Sequence, residues 1–182
     1  MATATHTNLV ARSTLDQRWV RHYGDSAQLF SLIPPKSAAL LDMGSGAGFP
    51  GLVFSVLAES RLPQLKLTLC DSVQKKASFL ISALKASELT NTTVEARRVE
   101  ALPPQKTYDV ITARAVTALS GLVDLAVPRL RPGGVMIFPK GRRAQEELDQ
   151  AQEKWNLEVH DHPSTTDPDA TIFVLRAPEK KV

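Results

Sequence analysis

A single cysteine, Cys70, is the only thiol in this 182-residue chain, so no internal disulfide is available and nothing marks a cross-linked secreted scaffold. Cys70 closes the apolar run from Leu65 to Leu69 and is expected to be a small buried residue. No apolar run approaches the length of a membrane span, and the first residues lack the apolar core of a signal peptide. Cytoplasm is the expected compartment. A Gly-x-Ser-x-Gly elbow and a Walker lysine are both missing, which removes the hydrolase and nucleotide-triphosphatase classes. His160 and His162 flank Asp161 without another His or Cys nearby, so no metal site is expected. Internal repeats and linkers are missing too. What is present is ordinary globular composition, 43% hydrophobic and 23% charged, at a length that suits one domain over residues 1–182. The net charge of +3 and pI near 9.1 permit an acidic partner such as RNA without requiring one.

The stretch that organises the chain is Leu40-Leu41-Asp42-Met43-Gly44-Ser45-Gly46-Ala47-Gly48-Phe49-Pro50-Gly51. An apolar run ends in an acid and then in glycines spaced two apart. Gly44, Gly46 and Gly48 let the chain turn tightly and let a ligand lie against the peptide plane. Pro50 suits the first turn of a helix, and Leu52, Val53, Val56 and Leu57 form one face of a helix running to about Ser60. Strand, glycine loop and helix N-terminus make a cofactor cradle. Two cofactor classes use one. Gly46 to Gly51 satisfies the dinucleotide pattern GxGxxG, with Asp71 lying 20 residues beyond Gly51 as a ribose-binding acid. Asp42 followed by Gly44, Gly46 and Gly48 satisfies instead the pattern of S-adenosylmethionine (AdoMet) methyltransferases. Asp42 would sit near a cationic amino group, as AdoMet has, and would be badly placed beside a pyrophosphate. Like charges 4 Å apart at a half-desolvated site cost roughly 4 kcal/mol. The acid therefore favours AdoMet over NAD.

Along the chain, Met1 to Thr7 is small and polar and is expected to fray. Thr14 to Ile33 reads as helical up to a Pro34-Pro35 stop, so residues 1–36 form a lead-in to a core over 37–182. Within the lead-in, Arg21, His22, Asp25 and Ser26 suit either a site edge or a solvated helix face. Leu65 to Cys70 is a second strand ending at Asp71, an acid placed to accept hydrogen bonds from ribose hydroxyls or to cap the helix from Ser72 to Glu88. Thr92 to Val99 is a third strand and Tyr108 to Ala115 a fourth. A helix from Leu119 to Leu130 is bent or ended by Pro128, and Arg131-Pro132-Gly133-Gly134 turns into a fifth strand over Val135 to Phe138. Lys140, Arg142 and Arg143 open a charged helix to about Trp155, and Leu157 to His160 and Thr171 to Leu175 are the last two strands. Such alternation means an α/β sheet, largely parallel.

Asp42 to Gly51, Asp71-Ser72 followed by Lys75-Lys76, Arg98-Val99-Glu100, and Thr112-Ala113-Arg114-Ala115 stand in the order seen in one family. The chain resembles the small-subunit ribosomal RNA guanine-N7 methyltransferases, also called glucose-inhibited division protein B. Asn8-Leu9-Val10 and Arg21-His22-Tyr23-Gly24-Asp25-Ser26 resemble the N-terminal signature of that family, and Lys140-Gly141 its late one. Its members carry a further N-terminal helical segment, so the resemblance implies a shortened start here. It also implies a class I AdoMet-dependent, Rossmann-like fold, with seven strands, the last antiparallel, and helices on both faces. By position it implies AdoMet contacts at Gly44, Phe49, Val99, Glu100 and Arg114, with Asp71 on the ribose.

Guanine N7 is an acceptor lone pair without a proton, so it can attack a sulfonium methyl directly and no general base is required. No catalytic acid or base is accordingly assigned. An exocyclic amine target would want an Asn/Asp-Pro-Pro-aromatic loop where Ala113-Arg114-Ala115 stands. A cytosine C5 target would want a nucleophilic cysteine, and Cys70 is at the wrong strand end. Arg21, His22, Lys75, Lys76, Lys140, Arg142 and Arg143 are the candidates for RNA contacts, with Arg114 directed at phosphate or the cofactor carboxylate. Two other functions remain at this point: a non-catalytic AdoMet- or RNA-binding module, and an NAD-dependent oxidoreductase.

Overall fold

The computed structural model describes residues 19–181, and of Arg21 only the backbone. The expectations for Met1 to Thr7, for the Asn8-Leu9-Val10 signature and for the start of the first helix lie outside the described residues.

From Trp19 the chain makes a π-helical turn to Gly24 and then α1, Asp25–Phe30. Seven strands follow, interleaved with helices: β1 Ala39–Met43, α2 Gly51–Arg61, β2 Lys66–Cys70, α3 Gln74–Ala86, β3 Thr92–Glu95, β4 Tyr108–Ala113, α4 Leu119–Ala126, β5 Leu130–Lys140, α5 Ala144–Lys154, β6 Trp155–Pro163 and β7 Thr171–Lys180. They form one sheet in the order β3-β2-β1-β4-β5-β7-β6, parallel through β5, with β7 antiparallel to both its neighbours. The expected α/β sheet with its last strand antiparallel is the one observed.

Strand alternation sorts the core onto two faces. Leu41, Met43, Ile111 and Phe138 pack under α4 and α5 on one side, while Leu40, Val110, Val135 and Ile137 meet α1 and α2 on the other. Strand order reverses between β1 and β4. In such sheets the ligand crevice lies outside the carboxyl ends of the strands at this reversal. The loops after Met43, Cys70, Ala113 and Lys140 leave on that edge.

Several boundaries differ from the sequence expectations, each for a local reason. The third strand stops at Glu95, and Val99–Ala101 is a short 3-10 turn. The helix from Leu119 gives way at Ala126 to a 3-10 turn containing Pro128. Arg131-Pro132-Gly133-Gly134 belongs to β5 itself: pairing jumps from Tyr108 with Leu130 to Val110 with Val135, so the extra residues bulge out, with Gly133 at φ +75. Lys140 ends β5 and does not open a helix, and Arg142 and Arg143 precede α5.

Candidate active site

The loop after β1 is fixed from below by two acids. Asp42 points from β1 toward α2 and is fully buried. Its Oδ2 accepts the Gly51 N–H at 3.2 Å and its Oδ1 the Thr112 hydroxyl at 3.0 Å. The carboxylate thus ties the β1 end to the start of α2 and to β4. Burial pushes its pKa up to about 6, against the donors around it and the Arg114 charge, which pull down. Placed so, Asp42 holds the loop from within and does not line the open crevice, which differs from the expected contact with a ligand's ammonium. Asp71, at the end of β2, accepts the Gly46 N–H on Oδ2 and the Val73 N–H on Oδ1, both at 2.9 Å. Carboxylate oxygens have about four acceptor positions between them, so two remain for a ligand.

A cavity of about 150 Å³ opens over this loop, lined by Gly44, Asp71, Ser72, Val99, Glu100 and Val116, among others. It brings together four of the expected cofactor contacts, Gly44, Asp71, Val99 and Glu100, from three separate connections. Gly44 has φ +66, and a Cβ there would lie 2.5 Å from Val116 Cγ2 on the same cavity wall. A side chain at this position would both strain the backbone and fill the cradle. Backbone open to a ligand, a carboxylate with spare acceptor positions and the half-apolar turn at Val99 suit a nucleoside with ribose hydroxyls. Cys70 also lines this cavity, is buried as expected, and donates its thiol to the Arg97 carbonyl at 3.2 Å. Burial, then the nearby Glu95 and Asp71 carboxylates, push its pKa to about 12, so it is no nucleophile.

The other half of the site is built on Arg114, the first residue past β4. Its Nη1 lies 3.0 Å from Asp25 Oδ2, and its Nη2 donates to His22 Nδ1 at 3.0 Å. A guanidinium only donates, so Nδ1 is the acceptor. The His22 ring stacks on Phe49 at 5.1 Å, and the Arg114 guanidinium carbon lies 5.7 Å from the centre of the Phe49 ring. His22, expected at an RNA surface, is instead buried in this cluster, which joins the N-terminal segment to the glycine loop. Asp25 also accepts from Gln28 and Thr166, so the loop between β6 and β7 is tied in as well.

Beside this cluster lies a cavity of about 310 Å³, lined by Asp25, Arg114, Ala115, Lys140, Glu147 and Asp167, among others. Arg114 and Ala115 face it while the next residue, Val116, lines the smaller cavity, so the exit of β4 divides the two. Ala115 holds φ +54, a left-handed conformation that costs a non-glycine residue roughly 1–3 kcal/mol and that clusters at functional sites. Asp25 stood among the sequence candidates for a site edge. Glu147, Thr166 and Asp167 did not, because they come from a charged helix and a polar loop without a motif.

The expected RNA contacts divide. Lys140 turns inward: its Nζ donates to the Thr117 carbonyl at 2.8 Å and pairs with Glu147 at 2.7 Å, leaving the side chain 10% exposed. Arg142 and Arg143 are exposed and pair with Asp169 and Glu146 at 2.8 Å. Lys75 is exposed and Lys76 half-buried on the first turn of α3. Among the described residues no cluster of His, Cys, Asp and Glu could hold a metal, and no helix is long and apolar enough to cross a membrane.

Comparison with known proteins gives a consistent answer. The model of the GidB family, described as rRNA small subunit methyltransferase G, matches residues 1–170. A ribosomal RNA small subunit methyltransferase G from Cereibacter sphaeroides is 46% identical over 170 residues, covering 93% of this chain and 82% of that protein. Its namesake from Rhodospirillum centenum is also 46% identical over 170 residues, covering 92% and 74%. Among solved structures, the N-methyltransferase NodS from Bradyrhizobium japonicum in complex with S-adenosyl-L-homocysteine has a TM-score of 0.61 at 18% identity, covering 85% of this chain and 86% of that one. The glycopeptide N-methyltransferase MtfA has a TM-score of 0.70 at 11% identity, covering 86% and 90%. At these identities the likeness to solved structures shows the class I methyltransferase fold.

Proposed function

The chain belongs to the rRNA small subunit methyltransferase G (GidB) family, and from that premise we propose that it transfers the methyl group of AdoMet to N7 of a guanine in bacterial small-subunit (16S) ribosomal RNA. The observation that carries the assignment is the pair of cavities on either side of Arg114, Ala115 and Val116. The smaller, about 150 Å³, suits the nucleoside end of a cofactor. The other, at the low end of the size range of ligand pockets, suits a single base.

In the smaller cavity, Asp71 receives the ribose hydroxyls, Val99 and Glu100 meet the adenine side, and Gly44 gives backbone access, while Gly46 and Gly48 shape the turn beneath it. Phe49 walls the methyl-donor end, and Arg114 faces the boundary between the two cavities. Asp42 acts through the loop it holds. When bound, AdoMet supplies a sulfonium methyl whose bond to sulfur breaks as the N7 lone pair forms the new bond to carbon. No residue of the chain has to remove a proton, because N7 carries none. What the protein supplies is position and exclusion of water, which can contribute roughly 7–11 kcal/mol. A guanine methylated at N7 gains positive charge. In the larger cavity Arg114 pairs with Asp25 and Lys140 with Glu147, so with Asp167 the lining keeps an excess of carboxylate that offsets that charge. Arg142, Arg143, Lys75 and Lys76 are left to meet phosphate outside the cavity. A ribosomal RNA substrate supports a cytoplasmic location for this activity.

Calorimetry with AdoMet and, separately, NAD tests the cofactor assignment. AdoMet binding without NAD binding is expected. NAD binding alone would return the chain to the oxidoreductase class, and AdoMet binding without transfer to RNA would make it a binding module.

A further inference from the structure

Of the ten aromatic residues in the chain, Phe30, Phe54, Tyr108, Phe138, Trp155 and Phe173 are buried, and Phe49 and Phe79 are half-buried. The remaining two are exposed and adjacent. Trp19 is 68% and Tyr23 42% exposed, one helical turn apart, with ring centres 4.8 Å from each other at an interplanar angle of 34°. Tyr23 in turn meets Phe49 of the cofactor loop edge-on at 5.2 Å, and Asp25, two residues on, lines the larger cavity. The exposed rings are thus linked through Phe49 to Arg114, which lines the larger cavity. Core packing explains the six buried aromatics and does not explain these two.

We infer that Trp19 and Tyr23 form a stacking platform for an unpaired nucleobase of the substrate RNA beside the target guanine. This rests on the assignment of ribosomal RNA methylation above. The N7 edge of guanine lies in the major groove, which in an A-form RNA helix is too deep and narrow for side chains to enter. A guanine that reaches the cavity has therefore left its stack, and its neighbour has lost a stacking partner. An aromatic face restores that partner for any base, through the flat π-surface that all four share. Two exposed rings joined through Phe49 to the cavity wall, on a protein whose substrate is RNA, supply that face, and the occupant is a base, not another protein.

The test uses the full chain with small ribosomal subunits lacking 7-methylguanine and with naked small-subunit RNA. Only Trp19 of the two tryptophans is exposed, so stacking should quench its fluorescence on RNA addition, and W19F should lose that quenching. W19A should bind AdoMet as the parent does while its KM for RNA rises roughly 5- to 100-fold, with W19F retaining most of the affinity. Y23A should shift KM in the same direction. Unchanged KM in W19A, with the parent active, overturns the platform and leaves the methyltransferase assignment intact. A KM that rises for subunits but not for naked RNA also overturns it, because the rings would then touch a ribosomal protein. Failure of the parent to methylate either substrate would overturn the underlying assignment instead.

Discussion

Arg114 and Asp25 meet at 3.0 Å across 89 residues of sequence, joining the exit of β4 to α1, and both line the larger cavity. The pair is half-buried, so removing one member leaves a charge beside the incoming base. Asp25→Ala should cost about 1–3 kcal/mol of stability and lower kcat/KM for RNA tenfold or more. Thermal melting and steady-state kinetics read the two effects. In a double-mutant cycle with Arg114→Ala the losses should fall short of additive by about 1 kcal/mol, whereas additivity within about 0.5 kcal/mol would separate the two residues.

Asp71 carries two loop N–H groups and still has acceptor positions facing the smaller cavity. Asp71→Ala should weaken AdoMet binding by roughly 10- to 100-fold, about the worth of one to two charge-assisted hydrogen bonds. Calorimetric titration checks it. Unchanged affinity would take Asp71 out of the ribose contact.

Gly44→Ala should abolish measurable AdoMet binding while leaving the fold intact by circular dichroism. The new Cβ meets Val116 at 2.5 Å and the φ of +66 strains any L side chain. Gly44→Ala combined with Val116→Ala should recover only part of the affinity, because the strain remains.

The stability contributed by Asp42 runs opposite to that of most carboxylates. Its carboxyl titrates near 6 when folded against an ordinary 3.8, so between those values the folded protein holds the extra proton. That stability is fully present below about 3.8 and is lost as pH rises through about 6. Asp42→Asn removes this term, so between pH 5 and pH 7.5 the parent should lose about 1 kcal/mol more than the variant. Denaturant unfolding at the two pH values measures it, and equal losses would show that the buried carboxyl does not titrate there.

Arg142 and Arg143 are held only by ion pairs at the surface, where such pairs are worth little and can be exchanged for phosphate. Arg142→Ala should reduce the slope of log affinity against log salt by about one for small-subunit RNA. Lys140→Ala should leave that slope nearly unchanged and lower stability, since its ammonium is engaged inside by Thr117 and Glu147.

Most of the sheet was legible because strands buried on both faces appear as apolar runs: Leu40-Leu41 and Val110-Ile111 announce themselves. The glycine loop and Asp71 were legible because a ligand that approaches backbone demands residues of that kind at that spacing. The bulge at Pro132-Gly133-Gly134 was not, since the same residues make a turn when no neighbouring strand holds them. Nor was the inward turn of Lys140, which depends on Glu147 arriving from α5. His22 shows the same limit. Its burial follows from Phe49 and Arg114 meeting it from two distant connections, and no periodicity in its own helix records that.

Methyl transfer itself decides the assignment: labelled AdoMet, the purified chain, and small subunits or small-subunit RNA lacking the modification, followed by nucleoside analysis. Label confined to 7-methylguanosine is the expected result. Label in another nucleoside, or AdoMet binding with no label transferred to either substrate, would contradict it.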